Sequence, residues 1–116
     1  MDKVNLAEKL ATFSDHWSPR VVADYNGNDV MVAKFLGAFP FHHHPETDDF
    51  FLVLSGQVAL DIEDRTLTLG PGELCVVPRG VRHRPRAVEE ATLLLIEPAG
   101  TPNTGDPATA APKPRI

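Results

Sequence analysis

The stretch FHHHPETDDFF, residues 41–51, holds three consecutive histidines followed closely by an acidic pair. On an extended backbone side chains alternate, so His42 and His44 project to one face and His43 to the other. Two imidazoles on one face can share an ion when other segments add a carboxylate and a third imidazole. Imidazole nitrogen must then lie roughly 2 Å from the metal, whether Zn, Ni, Mn or Fe. Glu46, Asp48 and Asp49 are the carboxylate candidates, and Asp49 stands at the head of DFFLVL, where a strand rather than a loop would hold it. Its parity is that of Phe51 and Val53.

The third imidazole candidate is His83, in PRGVRHRP. An extended GVRHRP turns Val81, His83 and Pro85 inward and Arg82, Arg84 and Arg86 outward. Taken singly, the triple histidine reads more readily as a polar strand end or loop, and His83 as a surface histidine. The arginines read as a solvated face or as partners of Glu89 and Glu90. His16, beside Trp17, reads as structural, and Cys75 within LCVV as a small buried hydrophobe. Arg79 precedes the His83 segment and is a candidate contact for an anionic substrate group. Phe39, Phe41 and Phe51 are candidates for an apolar mouth. No general base stands out beyond the ligand candidates.

These residues need strands to position them. One short helix is predicted over 5–13, with Asn5 as N-cap, Glu8 three residues on, and Leu6, Leu10 and Phe13 on one face. From Pro19 onward the pattern is short strands and tight turns. RVVADY and VMVAKFL flank NGND, and Asn-Gly accepts the positive φ of a tight hairpin. VALDIED alternates, with Val58, Leu60 and Ile62 facing one way. LGPGE and PRGVRH are turns. ATLLLIE is apolar on both faces, as in a strand that is central or covered by a second subunit. About eight strands are predicted, which argues for an all-β sandwich or barrel. From Pro98 the chain turns rich in Pro, Ala, Thr and Gly, and residues 105–116 are expected to be a mobile tail. The expected organisation is an N-terminal helix and lead-in over 1–18, a β-barrel over 19–98, and a tail over 99–116.

Bulk properties narrow the function classes. The 116 residues fit one domain, and a net charge of −5 argues against a nucleic-acid partner. One cysteine excludes an intrachain disulfide, a Cys-only zinc site and CxxC redox chemistry. The charged start MDKVNLAEKLATF lacks the apolar core of a secretory signal, and no apolar run reaches membrane-span length. A cytoplasmic protein is expected.

The two histidine clusters together resemble the paired motifs of the cupin superfamily. The first motif, G-x5-H-x-H-x3–4-E-x6-G, is met by Gly37, His42, His44, Asp49 and Gly56, with Gly37 one residue too close. The second, G-x5-P-x-G-x2-H-x3-N, is met by Gly72, Pro78, Gly80 and His83, with Ala87 at the final Asn position. The resemblance covers residues 30–97, and the chain looks most like the small single-domain cupins labelled mannose-6-phosphate isomerase-like. It implies a double-stranded β-helix, a jelly-roll barrel of two antiparallel sheets. It also implies one divalent ion per subunit (Fe, Mn, Zn or Ni) held by His42, His44, Asp49 and His83. The acid is Asp where the family uses Glu, about one C–C bond shorter, which leaves Asp48 and Glu46 as alternative acid arms.

Three functions fit these residues. The first is a metal-dependent enzyme acting on a small organic substrate, of dioxygenase or sugar-isomerase type. The second is a non-catalytic cupin that binds a small ligand or metal as a sensor or store. The third is a metal-free dimeric scaffold. A homodimer is expected in each.

Overall fold

The computed structural model describes residues 1–116. The order is α1 (Leu6–Leu10), β1 (Arg20–Tyr25), β2 (Asn28–Ala38), β3 (Asp49–Ser55), β4 (Val58–Ile62), β5 (Arg65–Leu69), β6 (Leu74–Val77) and β7 (His83–Pro98). Asn5 caps α1 by accepting from the Glu8 amide at 3.0 Å. The helix ends at Leu10, short of the predicted Phe13. Asn26 and Gly27, at φ 48° and 78°, form the tight turn between β1 and β2, as the Asn-Gly pair requires.

All seven strands belong to one antiparallel sheet built around β7. HRPRA and ATLLLIE form this single 16-residue strand. On one side β7 pairs with β2, from Asn28↔Pro98 to Ala38↔Arg86. On the other it pairs first with β4, between Ile62↔His83 and Ala59↔Arg86, then with β3 from Leu52↔Leu94. β1 flanks β2, β6 flanks β3, and β5 pairs with β4 alone.

The expected closed barrel of two sheets is therefore corrected. β1, β5 and β6 each have one strand neighbour, so the sheet keeps open edges and does not close on itself. Alternation along a strand fixes which face is buried, but not whether distant edges meet. The sheet nevertheless gathers its inward side chains into one core. Met31, Ala33, Val53, Val58, Leu60, Ala91 and Leu93 are fully buried there, with Phe35, Phe51, Val77 and Leu95 beside them. Each large side chain contributes about 1.5–3 kcal/mol by leaving water.

The last residues of the chain lie along the edge of β1. The Val21 amide donates to the Pro114 carbonyl at 2.8 Å and the Ile116 amide to the Val21 carbonyl at 3.0 Å. Arg115 reaches Asp24 at 2.9 Å. The free edge of β1 supplies unpaired backbone groups that the low-complexity tail satisfies. Composition does not register that opportunity.

No helix is long and apolar enough to cross a membrane.

Candidate metal centre

Two backbone segments bring the histidines together. β2 ends at Ala38, and residues 39–48 run back to β3 with one isolated bridge, His42↔His83. His42 thus joins the first residue of β7. His42 and His44 are turned inward and His43 outward, as alternation predicts. Asp49 opens β3 opposite Val77. His44, Asp49 and His83 are buried, with 4%, 4% and 1% of their surfaces exposed.

The three Nε2 atoms converge on one carboxylate oxygen. Asp49 Oδ2 lies 2.8 Å from His83 Nε2, 3.2 Å from His44 Nε2 and 3.9 Å from His42 Nε2. One ligand atom from each of the four residues falls within 4.8 Å of the others. This cluster of three histidines and one aspartate is capable of coordinating a metal.

The far ring nitrogens fix the orientation. His42 Nδ1 donates to the Pro40 carbonyl at 3.0 Å and His83 Nδ1 to the Val81 carbonyl at 2.8 Å. A carbonyl only accepts, so each Nδ1 carries the hydrogen, and in neutral His42 the Nε2 lone pair faces the centre. Metal-binding histidines are commonly oriented this way. His83 faces an acceptor at both nitrogens, whereas a neutral imidazole has one N–H to give. A cation between Nε2 and Oδ2 resolves that conflict. His44 is buried with neither ring nitrogen hydrogen-bonded, because its Nε2 approach to Asp49 is off the bonding direction. A polar group left so costs about 1–3 kcal/mol, and an ion would remove the deficit. The donor set fits a divalent metal.

The electrostatics agree. Burial lowers the pKa of His42 to about 4 against the opposing Pro40 hydrogen bond, so it is neutral near pH 7. Burial alone would raise Asp49, but the neighbouring imidazoles of His44 and His83 hold it below the usual carboxylate range. Burial alone would lower His44, and the Asp49 carboxylate outweighs it and raises it.

A cavity of about 30 Å³ opens beside the cluster, room for one or two waters. Trp17, Phe35, Phe39 and Phe51 form its apolar wall, and His42, Asp49, Glu97 and Asn103 its polar side. Trp17 stacks on Phe35 with ring centroids 4.2 Å apart and donates from Nε1 to the Leu36 carbonyl.

The other expected site residues fall as follows. Phe51 lines the cavity, while Phe41 lies outside it beneath the guanidinium groups of Arg82 and Arg84. Glu46 and Asp48 are exposed, and Asp48 accepts from the Arg79 backbone at 3.0 Å. Arg79 is solvent-facing and absent from the cavity lining. Arg84 and Arg86 pair with Asp61 rather than with Glu89 or Glu90. Sequence reasoning missed Glu97, which is 5% exposed. Its signal was present, since Ala91, Leu93, Leu95 and Glu97 share one inward parity.

Residues 30–97 match the family described as cupin domain. A cupin-2 domain containing protein from Shewanella frigidimarina NCIMB 400 has a crystal structure matching with a TM-score of 0.81 and 40% identity. The match covers 82% of this chain and 93% of that one. The uncharacterized protein YdbB of Bacillus subtilis (strain 168) is 33% identical over 91 residues, 78% of this chain and 74% of that protein. Hydroquinone 1,2-dioxygenase from Sphingomonas sp. TTNP3, in complex with 4-nitrophenol, matches with a TM-score of 0.75 and 22% identity. That match covers 85% of this chain but 33% of the dioxygenase chain, and is a likeness of fold. With the fold, both histidine motifs and the family match in register, the chain belongs to the cupin domain family.

Proposed function

We propose that this protein is a metal-dependent enzyme acting on a small organic substrate, with one divalent ion (Fe, Mn, Zn or Ni) held by His42, His44, Asp49 and His83. The observation that carries the reading is the convergence of three Nε2 atoms on Asp49 Oδ2. Such an ion supplies Lewis acidity, as an isomerisation of a sugar-like compound needs, or as Fe(II) the redox chemistry of a dioxygenase. The chain's own residues do the rest. The Pro40 and Val81 carbonyls hold the His42 and His83 rings in place. Trp17, Phe35 and Phe39 exclude water, and Phe51 offers an apolar contact to a bound substrate.

The fold likeness to hydroquinone 1,2-dioxygenase supports the oxygenase branch of this proposal. The small cavity favours a second reading, a non-catalytic cupin that stores or senses a metal or very small ligand. Elemental analysis of untreated protein comes first, then O2 uptake by Fe(II)-loaded protein across small phenols, thiols and keto acids. Metal with turnover supports the enzyme. Metal without turnover, there or in an aldose–ketose assay, supports the store or sensor. Absence of stoichiometric metal after loading sinks both.

A further inference from the structure

The segment after β7 does not leave the domain. It passes beside the loop that carries His44, and Asn103 reaches the lining of the cavity. Gly105, at φ 79°, lies so close to the His43 carbonyl that a Cβ there would overlap it. The Ala111 amide donates to Asn103 Oδ1 at 2.9 Å, folding the segment back on itself. Lys113 then crosses to Glu97, with Nζ 2.9 Å from Oε2, and also donates to the Thr101 carbonyl. The last residues pair with Val21 on β1.

The Glu97–Lys113 pair differs from the other ion pairs of Lys and Arg. Its side chains are 6% and 13% exposed, whereas every other such pair has at least one member more than one-third exposed. A buried pair adds little net stability against an apolar replacement. Losing one partner is costly, because the other charge stays buried and uncompensated. The pair is therefore suited to hold the segment in place on the Glu97 side of the cavity.

We propose that residues 99–116 form a strap across the cavity, latched by Lys113 on Glu97, and that small molecules and metal reach the histidines when the latch opens. Glu97 is then a positioning residue for the strap. The strap rests on the metal reading for one of its two readouts only.

Both readouts use the full chain. Trp17 is the sole tryptophan and lies on the cavity wall, so acrylamide quenching of its fluorescence reports access in unloaded protein. Lys113→Met raises the quenching constant at least about twofold, and the Glu97→Met, Lys113→Met double variant returns it to the wild-type value. In Zn-loaded protein, Lys113→Met speeds zinc transfer to a chromogenic chelator by about tenfold, with unchanged zinc at saturation. Should Lys113→Met fail to fold, Gly105→Ala lifts the strap at its His43 contact and gives the same two changes. Wild-type quenching in the tested variants overturns the strap, and so does a rise that the double variant fails to reverse. If even wild-type protein holds no zinc, the metal reading fails and quenching alone decides the strap.

Discussion

His42 and His83 are hydrogen-bonded to each other through their backbones, each amide donating to the other's carbonyl at 2.9 Å. This reciprocal pair fixes their ring centroids 4.5 Å apart. It also ties the loop after β2 to the start of β7, so two motifs distant in sequence become one rigid edge of the site. Preorganised ligands lose less entropy when an ion arrives than ligands on free loops.

Removing His83 tests that arrangement. His83→Ala is expected to weaken metal binding by at least about 100-fold, since it removes one of the four proposed ligands and its carbonyl-anchored ring. Arg82→Ala, one residue away on the opposite face, leaves metal content unchanged. Metal-to-protein ratios after gel filtration at low free metal check both. Equal losses in the two variants would mean that the inward face has been wrongly assigned.

The acid arm gives a second test. Asp49→Ala leaves three imidazoles without an anion and is expected to lower affinity by about tenfold or more. Asp49→Glu keeps the charge and lengthens the arm by one methylene, as at the matching family position. It is expected to retain metal at a stability cost of about 1–3 kcal/mol for overfilling a packed site. Asp48→Ala should change only the exposed contact with Arg79. Metal loss in Asp48→Ala but not in Asp49→Ala would transfer the acid role to Asp48.

Much of this centre was legible in the sequence because strand parity is local. Alternation placed His42 and His44 inward and His43 outward, and parity also put Asp49, Phe51 and His83 inside. Sheet closure was not legible, because pairing between β1, β5 and β6 depends on long-range geometry that no single strand encodes. Lys113 was obscured for a related reason. Its segment has the composition of a free tail, and only the buried carboxylate of Glu97 and the open edge of β1 give it somewhere to bind. Arg79 lay near the His83 motif in sequence, yet the turn at Gly80 points it to Asp48 and solvent.

The His42 shift predicts a pH dependence of unloaded protein. Its pKa falls from 6.5 to about 4 on folding, mainly through burial. Between those values the unfolded chain binds the proton and the folded chain does not. Stability from this group is therefore fully present above about pH 6.5 and declines as pH falls towards 4. The loss is on the order of 2 kcal/mol after discounting partial solvent screening. Asp49 adds its own loss only at lower pH, below the ordinary carboxylate value, because its pKa is depressed. His44, raised in the folded state, acts oppositely, and its contribution fades as pH rises through its folded value. Urea midpoints of chelator-treated wild type and His42→Ala, measured from pH 7 to 4.5, isolate the term. A parallel decline in the two proteins would show that His42 does not carry it.

Gly56 tests the junction of β3, β4 and β7. It sits at φ 78°, and a Cβ there would fall 2.8 Å from the Glu90 carbonyl oxygen and 2.9 Å from Ala91 Cα. Both are backbone atoms of the central strand and cannot swing aside. Gly56→Ala is expected to cost about 2 kcal/mol or more, from strain at positive φ and displacement of β7. Gly72→Ala shares the positive φ but meets no atom within 4 Å, so it should cost less. Denaturant midpoints at constant slope make the comparison, and equal costs would show that the close approach to β7 contributes nothing.

The outer face of the sheet carries the last prediction, a homodimer. Leu74, Leu52 and Leu94 are neighbours in one cross-strand row, and Val76 and Phe50 in the next. Leu74 and Val76 are 54% and 46% exposed, and Phe50, Leu52, Leu94 and Ile96 are half-buried. A continuous apolar surface on a sheet face is suited to an interaction, and a second copy of the same face would bury it in an isologous contact. Leu94→Glu places a charge in that row, on the face opposite the core residues Leu93 and Leu95. Sedimentation velocity at micromolar concentration should give a dimer for wild type and a monomer for Leu94→Glu, with equal metal content in both. A wild-type monomer would remove the dimer, and a Leu94→Glu dimer would move its interface to another surface.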